Sequence, residues 1–184
     1  MNNIIPTLKY LWLTTKHKAY VFRAGLKTGA PLWRLLIHDL SKYTPMEAPH
    51  YGRLFFGDKS DPDGYNQAWL HHQNVNPHHW EYWIPRTGGR CQIGQEPLPM
   101  PMWAVQEMVA DWCGASKAYE GFYPWEIEFH DWKWFHRHWN EISTPERIHD
   151  GTLDHLEHVM YQVFGSEGSN EITRTYVGRY FNAD

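Results

Sequence analysis

The 184-residue sequence predicts an all-α protein, and two observations support this fold class. Apolar side chains recur three and four positions apart in most segments of the chain, which is the period of an amphipathic helix. Proline and glycine stand at the ends of these segments, where they begin and end helices. No internal repeat or linker-like stretch is visible. We therefore expect one domain, with a core at about 8–120 and a helical extension at 121–184.

The first part of the chain predicts four helices, each bounded by glycine or proline. They run from about Thr7 to Ala24, from Leu32 to about Leu40, from Pro45 to about Phe56, and from near Tyr65 to a stop at Pro77. The second of these carries Leu35, Leu36 and Ile37, so it is expected to be buried. The DPDG string at 61–64 predicts a turn between the third and fourth helices.

The second part of the chain begins with a different composition. Prolines and glycines interrupt residues 80–101, which predict a long loop or a small hairpin with Gly88 and Gly89 at its turn. Loops of this length often act as functional lids. Helical spacing then returns in three segments: Met102 to about Tyr119, Pro124 to about Trp139, and Pro145 to Phe164 with Thr144 as N-cap. The final string RTYVGRYF predicts a short docked segment.

Composition excludes several classes of protein. A net charge of −4 argues against stable nucleic-acid binding and against a polybasic membrane binder. No apolar run approaches the roughly 20 residues that span a bilayer, and the first residues lack a signal-peptide pattern. Two cysteines are too few for a disulfide framework, so a cytoplasmic protein is expected. The sequence contains 13 histidines. Their number alone does not show which of them have a chemical role, so this is inferred from their positions.

The strongest chemical feature is His38-Asp39 in the string LLIHDLSKY. A histidine followed directly by an aspartate near a helix end can offer a nitrogen and an oxygen to one cation. An ionised carboxylate on a buried helix strongly resists leaving water unless a partner such as a metal ion compensates it. The alternative is structural: Asp39 caps a turn and His38 is a satisfied core histidine.

Two further residues complete a candidate ligand set. His17 lies four residues after Leu13 and three before Tyr20, so it shares their helical stripe. Asp111 lies on the later helix in the string EMVADWCGA. Polar residues on apolar helix faces need a partner, and ligands from separate helices can meet in the core of a bundle. Such nitrogen and oxygen ligands suit divalent cations: Mn, Fe, Co, Zn, Ni or Mg.

The order His17, His38-Asp39, Asp111 on successive helices resembles the HD-domain superfamily of metal-dependent phosphohydrolases. HDLSK is similar to the HD-x-[GS]-K form of its central motif, and the resemblance spans roughly 17–119. It implies an HD-like helical bundle in which these four residues bind a divalent metal. The chain is also similar to a small uncharacterised phage and bacterial family with the strings HKxYV, HDLSK, HHQNxNPHHWEYW and EMVADWxGAS.

A second set of histidines lies in AWLHHQNVNPHHWEYW. The nearest analogue in the superfamily is the His-His pair of the HD-GYP branch, which implies His71 and His72 as ligands of a second metal. No GYP motif follows here, and the single histidine before the pair has no counterpart except His50. One metal or two per chain therefore stay open. His78 and His79, beside Trp80, either line the substrate pocket or lie on a surface loop.

Phosphate chemistry also needs positive charge near the metal. Lys42 lies one turn past the metal pair and matches the motif, so we assign it to catalysis and to substrate binding. Lys117 is a second candidate for binding substrate, together with His78, His79 and Trp80; Arg34 and Arg53 are further options. Glu47 could serve as the general acid or base, or be a surface carboxylate.

The resemblance implies a phosphoric ester hydrolase that uses metal-activated water on a nucleotide or another small phosphate ester. One alternative keeps the fold but holds two irons and uses dioxygen. Another is a non-catalytic protein that binds a nucleotide or a host protein. A small phosphorylated substrate is the expected partner, membrane and stable nucleic-acid partners are not expected, and a homo-oligomer stays open. The histidines after position 129 are expected to be surface or packing residues.

Overall fold

A computed structural model describes residues 4–85 and 96–181, and within these ranges it contains seven α-helices and no strand. The helices are α1 (Ile4–Thr28), α2 (Leu32–Ile37), α3 (Ala48–Phe56), α4 (Pro62–Val75), α5 (Met102–Tyr119), α6 (Lys133–Ile142) and α7 (Asp150–Phe181). Short 3₁₀ turns occupy Leu40–Tyr43, Trp80–Trp83, Pro124–Glu126 and Phe129–Asp131. The all-α prediction is confirmed.

Helix α5 is the centre of the fold. It is buried on most of its circumference, as expected for a helix that is apolar nearly all round. Its most extensive packing is against α1, and it also contacts α7. The two main helices approach closely at Gly114, where an added Cβ would lie 2.8 Å from the backbone nitrogen of Val21. This close crossing places polar side chains of α1 next to polar side chains of α5.

The buried stripe of α1 includes Tyr10, Thr14, His17, Val21 and Ala24. These residues lie three and four positions apart, so they share one face. The sequence therefore puts His17 among core residues, and its side chain is only 6% exposed. An imidazole that is buried in the core in this way needs polar partners.

Helix α2 ends earlier than the sequence predicts. The prediction that Leu35, Leu36 and Ile37 are buried was wrong for two of these three residues. The helix stops at Ile37 rather than near Leu40, because His38 is extended and Asp39 adopts the left-handed conformation, with φ 56° and ψ 22°. Such a backbone is uncommon outside glycine, although aspartate tolerates it better than most residues. The six-residue helix buries Leu35 but leaves Leu36 and Ile37 exposed.

Three further boundaries differ from the predictions in the first part of the chain. The third helix begins at Ala48 rather than Pro45, since residues 44–47 form a turn in which Thr44 O accepts from the Ala48 amide. DPDG is not a turn between helices but the start of α4: Asp61 caps it by accepting from the Gly64 amide. An N-cap aspartate followed by proline is a helix-start pattern. The 3₁₀ turn at Trp80–Trp83 was not predicted.

The helices in the last part of the chain also differ from those that the sequence predicts. The helix predicted over 124–139 is two 3₁₀ turns followed by α6. The last helix begins at Asp150, because Thr144 closes a turn by accepting from the Arg147 and Ile148 amides. It continues to Phe181 across a break at Gly165 (φ 65°), so RTYVGRYF is helical rather than a separate segment. The proposed Gly88-Gly89 hairpin lies outside the described residues.

None of the described helices is both long enough and apolar enough to cross a membrane.

Candidate metal centre

Asp39 lies at the meeting point of two groups of buried ligand atoms. Its side chain is fully buried, and each of its carboxylate oxygens approaches a different group. One group is His17, His38, Asp39 and Asp111, and the other is Asp39, His72, His78 and His79. Within each group, one potential ligand atom per residue lies within 4.8 Å of all the others. Asp39 directly follows His38 and combines a left-handed backbone with a fully buried side chain.

The first group gathers on Asp39 Oδ2 and Asp111 Oδ1. His17 Nε2 lies 2.8 Å from Asp111 Oδ1 and 3.7 Å from Asp39 Oδ2. His38 Nε2 lies 3.4 Å and 3.5 Å from the same two oxygens. Ligand atoms at about 2.1 Å from a shared ion lie roughly 3–3.5 Å from one another. The separations in this group are close to that range.

The second group gathers on the other oxygen of Asp39. His72 Nε2 lies 3.3 Å from Asp39 Oδ1, and His78 Nε2 lies 3.5 Å from it. The His79 ring is near both, with its centroid 4.7 Å from that of His72 and 4.5 Å from that of His78. This group has three imidazoles to one carboxylate, whereas the first has two of each. Imidazole-rich sites suit Zn, Fe, Cu or Ni better than Mg or Ca.

The side-chain atoms that face the centre lack ordinary partners. Among the described residues, the buried atoms without a hydrogen bond include Asp39 Oδ1 and five imidazole nitrogens: Nε2 of His17, His38, His72, His78 and His79. Their short distances to carboxylates are therefore approaches that are not aligned as hydrogen bonds. Buried polar atoms are normally satisfied, because leaving one unpaired costs about 1–3 kcal/mol. Atoms that converge without bonding each other are the arrangement a cation would complete, so these residues fit divalent metal ions.

Two further carboxylates contact the ligand histidines from behind. Glu107 Oε1 accepts a hydrogen bond from His38 Nδ1 at 3.1 Å, and Glu47 Oε2 accepts one from His72 Nδ1 at 3.0 Å. Both glutamates are fully buried. A metal-bound histidine commonly donates its second ring N–H to a carboxylate, which fixes its tautomer and orientation. These bonds point the Nε2 atoms of His38 and His72 towards Asp39.

The electrostatics of the first group are those of ion pairs. Burial raises the pKa of Asp39, but His38 and Lys42 outweigh it and hold that pKa well below its ordinary value. Burial likewise opposes ionisation of Asp111, but the close approach and charge of His17 and His38 hold its pKa well below the ordinary value. For His38, burial disfavours the imidazolium, but Asp39, Asp111 and Glu107 raise its pKa to about 10. Without a bound metal ion, His38 is therefore protonated near pH 7.

The second group has the opposite character. Burial lowers the pKa of His72, and the charge of Lys42 adds to that effect. Burial lowers the pKa of His79 well below its ordinary value, with further repulsion from His78 and His72. Both imidazoles are therefore neutral near pH 7, which is the form that binds a metal.

A cavity of about 360 Å³ opens over the centre. Ligand-group residues and Lys42 line one part of it, and aromatic and C-terminal residues line the rest: His17, Lys42, Trp69, His78, His79, Trp80, Glu81, Met108, Asp111, Trp112, Ala115, Tyr119, Trp134, His138, Ile142 and Arg147. Its volume lies at the small end of the range for small-molecule sites, about 300–1,000 Å³. The two ligand groups thus face a space that can admit a compact organic molecule.

The residues predicted to bind substrate divide between the cavity and other places. Lys42, His78, His79 and Trp80 line it, and Lys42 Nζ lies 2.6 Å from Asp39 Oδ2. Lys117 lies elsewhere and donates to Gly121 O and to Glu126 Oε2. His78 and His79 belong to the second ligand group as well as to the cavity wall.

The remaining candidates sit around the centre or away from it. Glu47 faces His71 and His72 rather than the cavity. His71 is outside both ligand groups, with its Nδ1 2.7 Å from Glu47 Oε1 and its side chain 32% exposed. Arg34 bonds Glu107, and both His50 and Arg53 pair with Asp61.

Several residues of the site were not identified from the sequence. Glu107 lies one turn before Asp111 on a largely apolar helix. A charged residue on an apolar helix face was the one signal in the sequence that could have identified it. Trp134, His138 and Arg147 reach the cavity from the last third of the chain. His138 stacks on Trp134 with ring centroids 4.1 Å apart. Nothing local in the sequence shows that this region packs over the centre.

Fold and site together define an all-α protein whose buried histidine, aspartate and glutamate groups could hold metal ions. The chain belongs to DUF5662, a family of unknown function, whose match covers residues 7–162. That range takes in both ligand groups and every cavity residue named above. No curated protein and no solved structure matches the chain.

Proposed function

We propose that this protein is a metal-dependent phosphohydrolase that holds one divalent cation in each of the two ligand groups and acts on a small phosphate ester. The observation that carries the proposal is the placement of Asp39, whose two oxygens face two different groups of unpaired buried nitrogens beside a cavity. Paired metal sites with a shared carboxylate suit displacement at phosphorus, in which both the attacking and the leaving oxygen need stabilisation.

Cations bound here would supply Lewis acidity and would lower the pKa of coordinated water towards neutrality. The chain itself supplies further positive charge. Lys42 lies in the cavity wall beside the first group. Burial lowers its pKa, but Asp39 and the other acidic groups nearby together raise that pKa well above its ordinary value, so Lys42 stays protonated. Arg147 lies on another part of the wall. The positively charged side chains of Lys42 and Arg147 can both offset charge on phosphoryl oxygens, which is the main task of a protein in phosphoryl transfer.

The rest of the cavity favours a substrate with a flat organic part. Trp69, Trp80, Trp112 and Trp134 all contribute to its wall. Aromatic side chains stack on nucleic-acid bases with a free energy of about 1–3 kcal/mol per base. A nucleotide therefore matches both parts of the cavity, its phosphate at the ligand groups and its base against the indoles.

The resemblance to the HD-domain superfamily supports the same proposal. The superfamily order of ligands corresponds to His17, His38, Asp39 and Asp111, and these residues form the first group. The second group takes one histidine of the first adjacent pair, His72, and both histidines of the second pair, His78 and His79, rather than the His71-His72 pair.

One observation favours a second candidate function. Three imidazoles and one carboxylate in the second group, with Glu47 hydrogen-bonded behind His72, form a ligand set that also suits iron. With iron in both groups, the protein would belong with the HD-like proteins that use dioxygen to cleave carbon bonds.

The test compares wild type with Asp39→Asn and with Asp154→Asn. Asparagine tolerates the left-handed backbone at position 39, so this variant removes charge without imposing new strain. Asp154 is exposed on α7, away from the centre, and provides the matched control. Elemental analysis measures metal content, and a screen of nucleotides and small phosphate monoesters measures phosphate release.

Metal bound by wild type and by the control but lost in Asp39→Asn, with phosphate released only by the first two, is the expected result. Metal without phosphate release from any substrate would overturn the hydrolase proposal. Oxygen consumption by the iron-loaded protein would then test the second candidate. Failure of wild type to bind metal under any loading condition would overturn both.

A further inference from the structure

We propose that Glu107 is a positioning residue that orients one histidine of each ligand group, His38 and His78, with Nε2 towards the metal centre. This inference rests on the proposed metal centre but not on the reaction that the centre performs. It assigns a role to a buried residue that does not line the cavity.

One oxygen of Glu107 faces both imidazoles. Oε1 accepts a hydrogen bond from His38 Nδ1 at 3.1 Å, and His78 Nδ1 lies 3.3 Å from the same atom. The second contact is an approach that is not aligned as a hydrogen bond, because His78 Nδ1 has no bonded partner among the described residues. The two rings lie against each other, with centroids 4.5 Å apart. Glu107 thus sits behind both rings while their Nε2 atoms face Asp39.

Arg34 compensates the charge of Glu107 from the side away from the two imidazoles. Its Nε donates to the other carboxylate oxygen, Oε2, at 2.6 Å. Two neighbouring indole rings also contact the guanidinium, with the ring centroids of Trp33 and Trp103 at 5.1 Å and 4.9 Å from its central carbon. A buried carboxylate with a bonded cation is compensated, whereas an unpaired one is strongly destabilising.

The unpaired atoms argue against Glu107 as a metal ligand. Glu107 forms a third potential group with His38 and His78, and its Oε1 lies near the Nδ1 atom of each. A divalent cation there would bind these Nδ1 atoms and leave the five unpaired Nε2 atoms unexplained. The geometry is therefore that of a hydrogen-bond acceptor behind two ligands.

This arrangement links the two groups through one residue. His38 comes from the end of α2 and belongs to the first group, while His78 follows α4 and belongs to the second. A carboxylate behind a ligand imidazole fixes its tautomer and raises its basicity, and loss of such a partner costs about 10- to 100-fold in metal affinity. Changing Glu107 should therefore weaken both groups, although the aligned bond makes the effect on the first group the larger.

The test titrates Co²⁺ into metal-free wild type, Glu107→Gln and Glu128→Gln. Glutamine keeps the shape of Glu107 but lacks its charge, and Glu128 is exposed and distant from the centre, so it is the matched control. We expect Co²⁺ affinity to fall about 10- to 100-fold in Glu107→Gln, with a changed visible spectrum of the bound ion. The control should match wild type in both. A folded Glu107→Gln with wild-type affinity and spectrum would overturn the inference and leave the proposed function intact.

A second measurement needs no variant. In Zn²⁺-loaded wild type, nitrogen NMR of the imidazoles reports which ring nitrogen carries the proton. The inference requires His38 and His78 to be protonated at Nδ1, with a downfield proton on His38 from its bond to Glu107. Coordination of Zn²⁺ through Nδ1 of either residue would contradict it even if Glu107→Gln did not fold. Absence of Co²⁺ and Zn²⁺ binding by wild type would instead overturn the metal centre and this inference together.

Discussion

His17 and Asp111 meet where two helices cross closely, with Nε2 of His17 2.8 Å from Oδ1 of Asp111. They come from α1 and α5, the two helices that pack most extensively. The crossing is close because Gly114, three residues after Asp111, has no side chain between the helices. The geometry of the first ligand group therefore depends on an apolar contact one turn away.

Gly114→Ala should damage the fold and the first ligand group together. An added Cβ would lie 2.8 Å from Val21 N and 3.0 Å from Val21 Cα, and backbone atoms cannot rotate away. Overpacking of this kind costs about 1–3 kcal/mol, and separation of α1 from α5 would pull His17 from Asp111. Thermal unfolding and Co²⁺ affinity measure the two effects. Gly178→Ala on α7, where nothing lies within 4 Å of the new Cβ, should leave both unchanged or slightly raise the melting temperature.

Metal stoichiometry should separate the two groups by residue. Asp111 belongs only to the first group and His72 only to the second, whereas Asp39 belongs to both. Asp111→Asn and His72→Gln should each lose one of two bound ions, and Asp39→Asn should lose both. Elemental analysis after loading measures this, with His158→Gln, exposed on α7, as the control. Equal losses in all three variants would contradict separate sites.

The part of the site that lies on regular helices was predictable from the sequence. His17 and Asp111 interrupt apolar stripes, and the 3.6-residue period alone indicates that both face the core. The same reasoning, carried further, distinguishes His72 from His71, because His72 follows Ala68 by four residues on the buried face of α4. Glu107 likewise follows from its position one turn before Asp111.

The parts that depend on loops and distant packing were not predictable. His78 and His79 follow Pro77, where no period applies and a local turn decides which way each ring points. The early end of α2 depends on the left-handed backbone of Asp39, which the centre around it over-determines. The reach of Trp134 and Arg147 to the cavity depends on how the last third of the chain packs, and no pairwise pattern in the sequence encodes that.

When a divalent cation binds to the first group at about pH 7.5, protons should be released. The carboxylates around His38 outweigh its burial and raise its pKa from 6.5 to about 10, so it is protonated at that pH. An imidazole must be neutral to bind a metal, and a bound ion therefore displaces the proton. Affinity should accordingly rise with pH up to about 10.

Calorimetry of Mn²⁺ binding in two buffers of different ionisation enthalpy measures the protons released. Asp111→Asn, which leaves only the second group complete, should release few, because burial already lowers the pKa of His72 and of His79. Proton release that is equal in the variant and in wild type would show that His38 is neutral before the metal binds.

Arg147→Ala should weaken substrate binding without changing metal content. Arg147 is an exposed residue of the cavity wall, and its guanidinium carbon lies 5.7 Å from the ring centroid of Trp80. Arg147 belongs to neither ligand group, so both metal ions should stay in place. Loss of a charge that pairs with a substrate anion typically costs about 1.5–3 kcal/mol, which is roughly a 10- to 100-fold rise in KM. Steady-state kinetics on the best phosphate ester measure KM and kcat, and elemental analysis measures the metal. Arg174→Ala, an exposed arginine on α7, should change neither. An unchanged KM with normal metal content would mean that the substrate does not reach the C-terminal wall of the cavity.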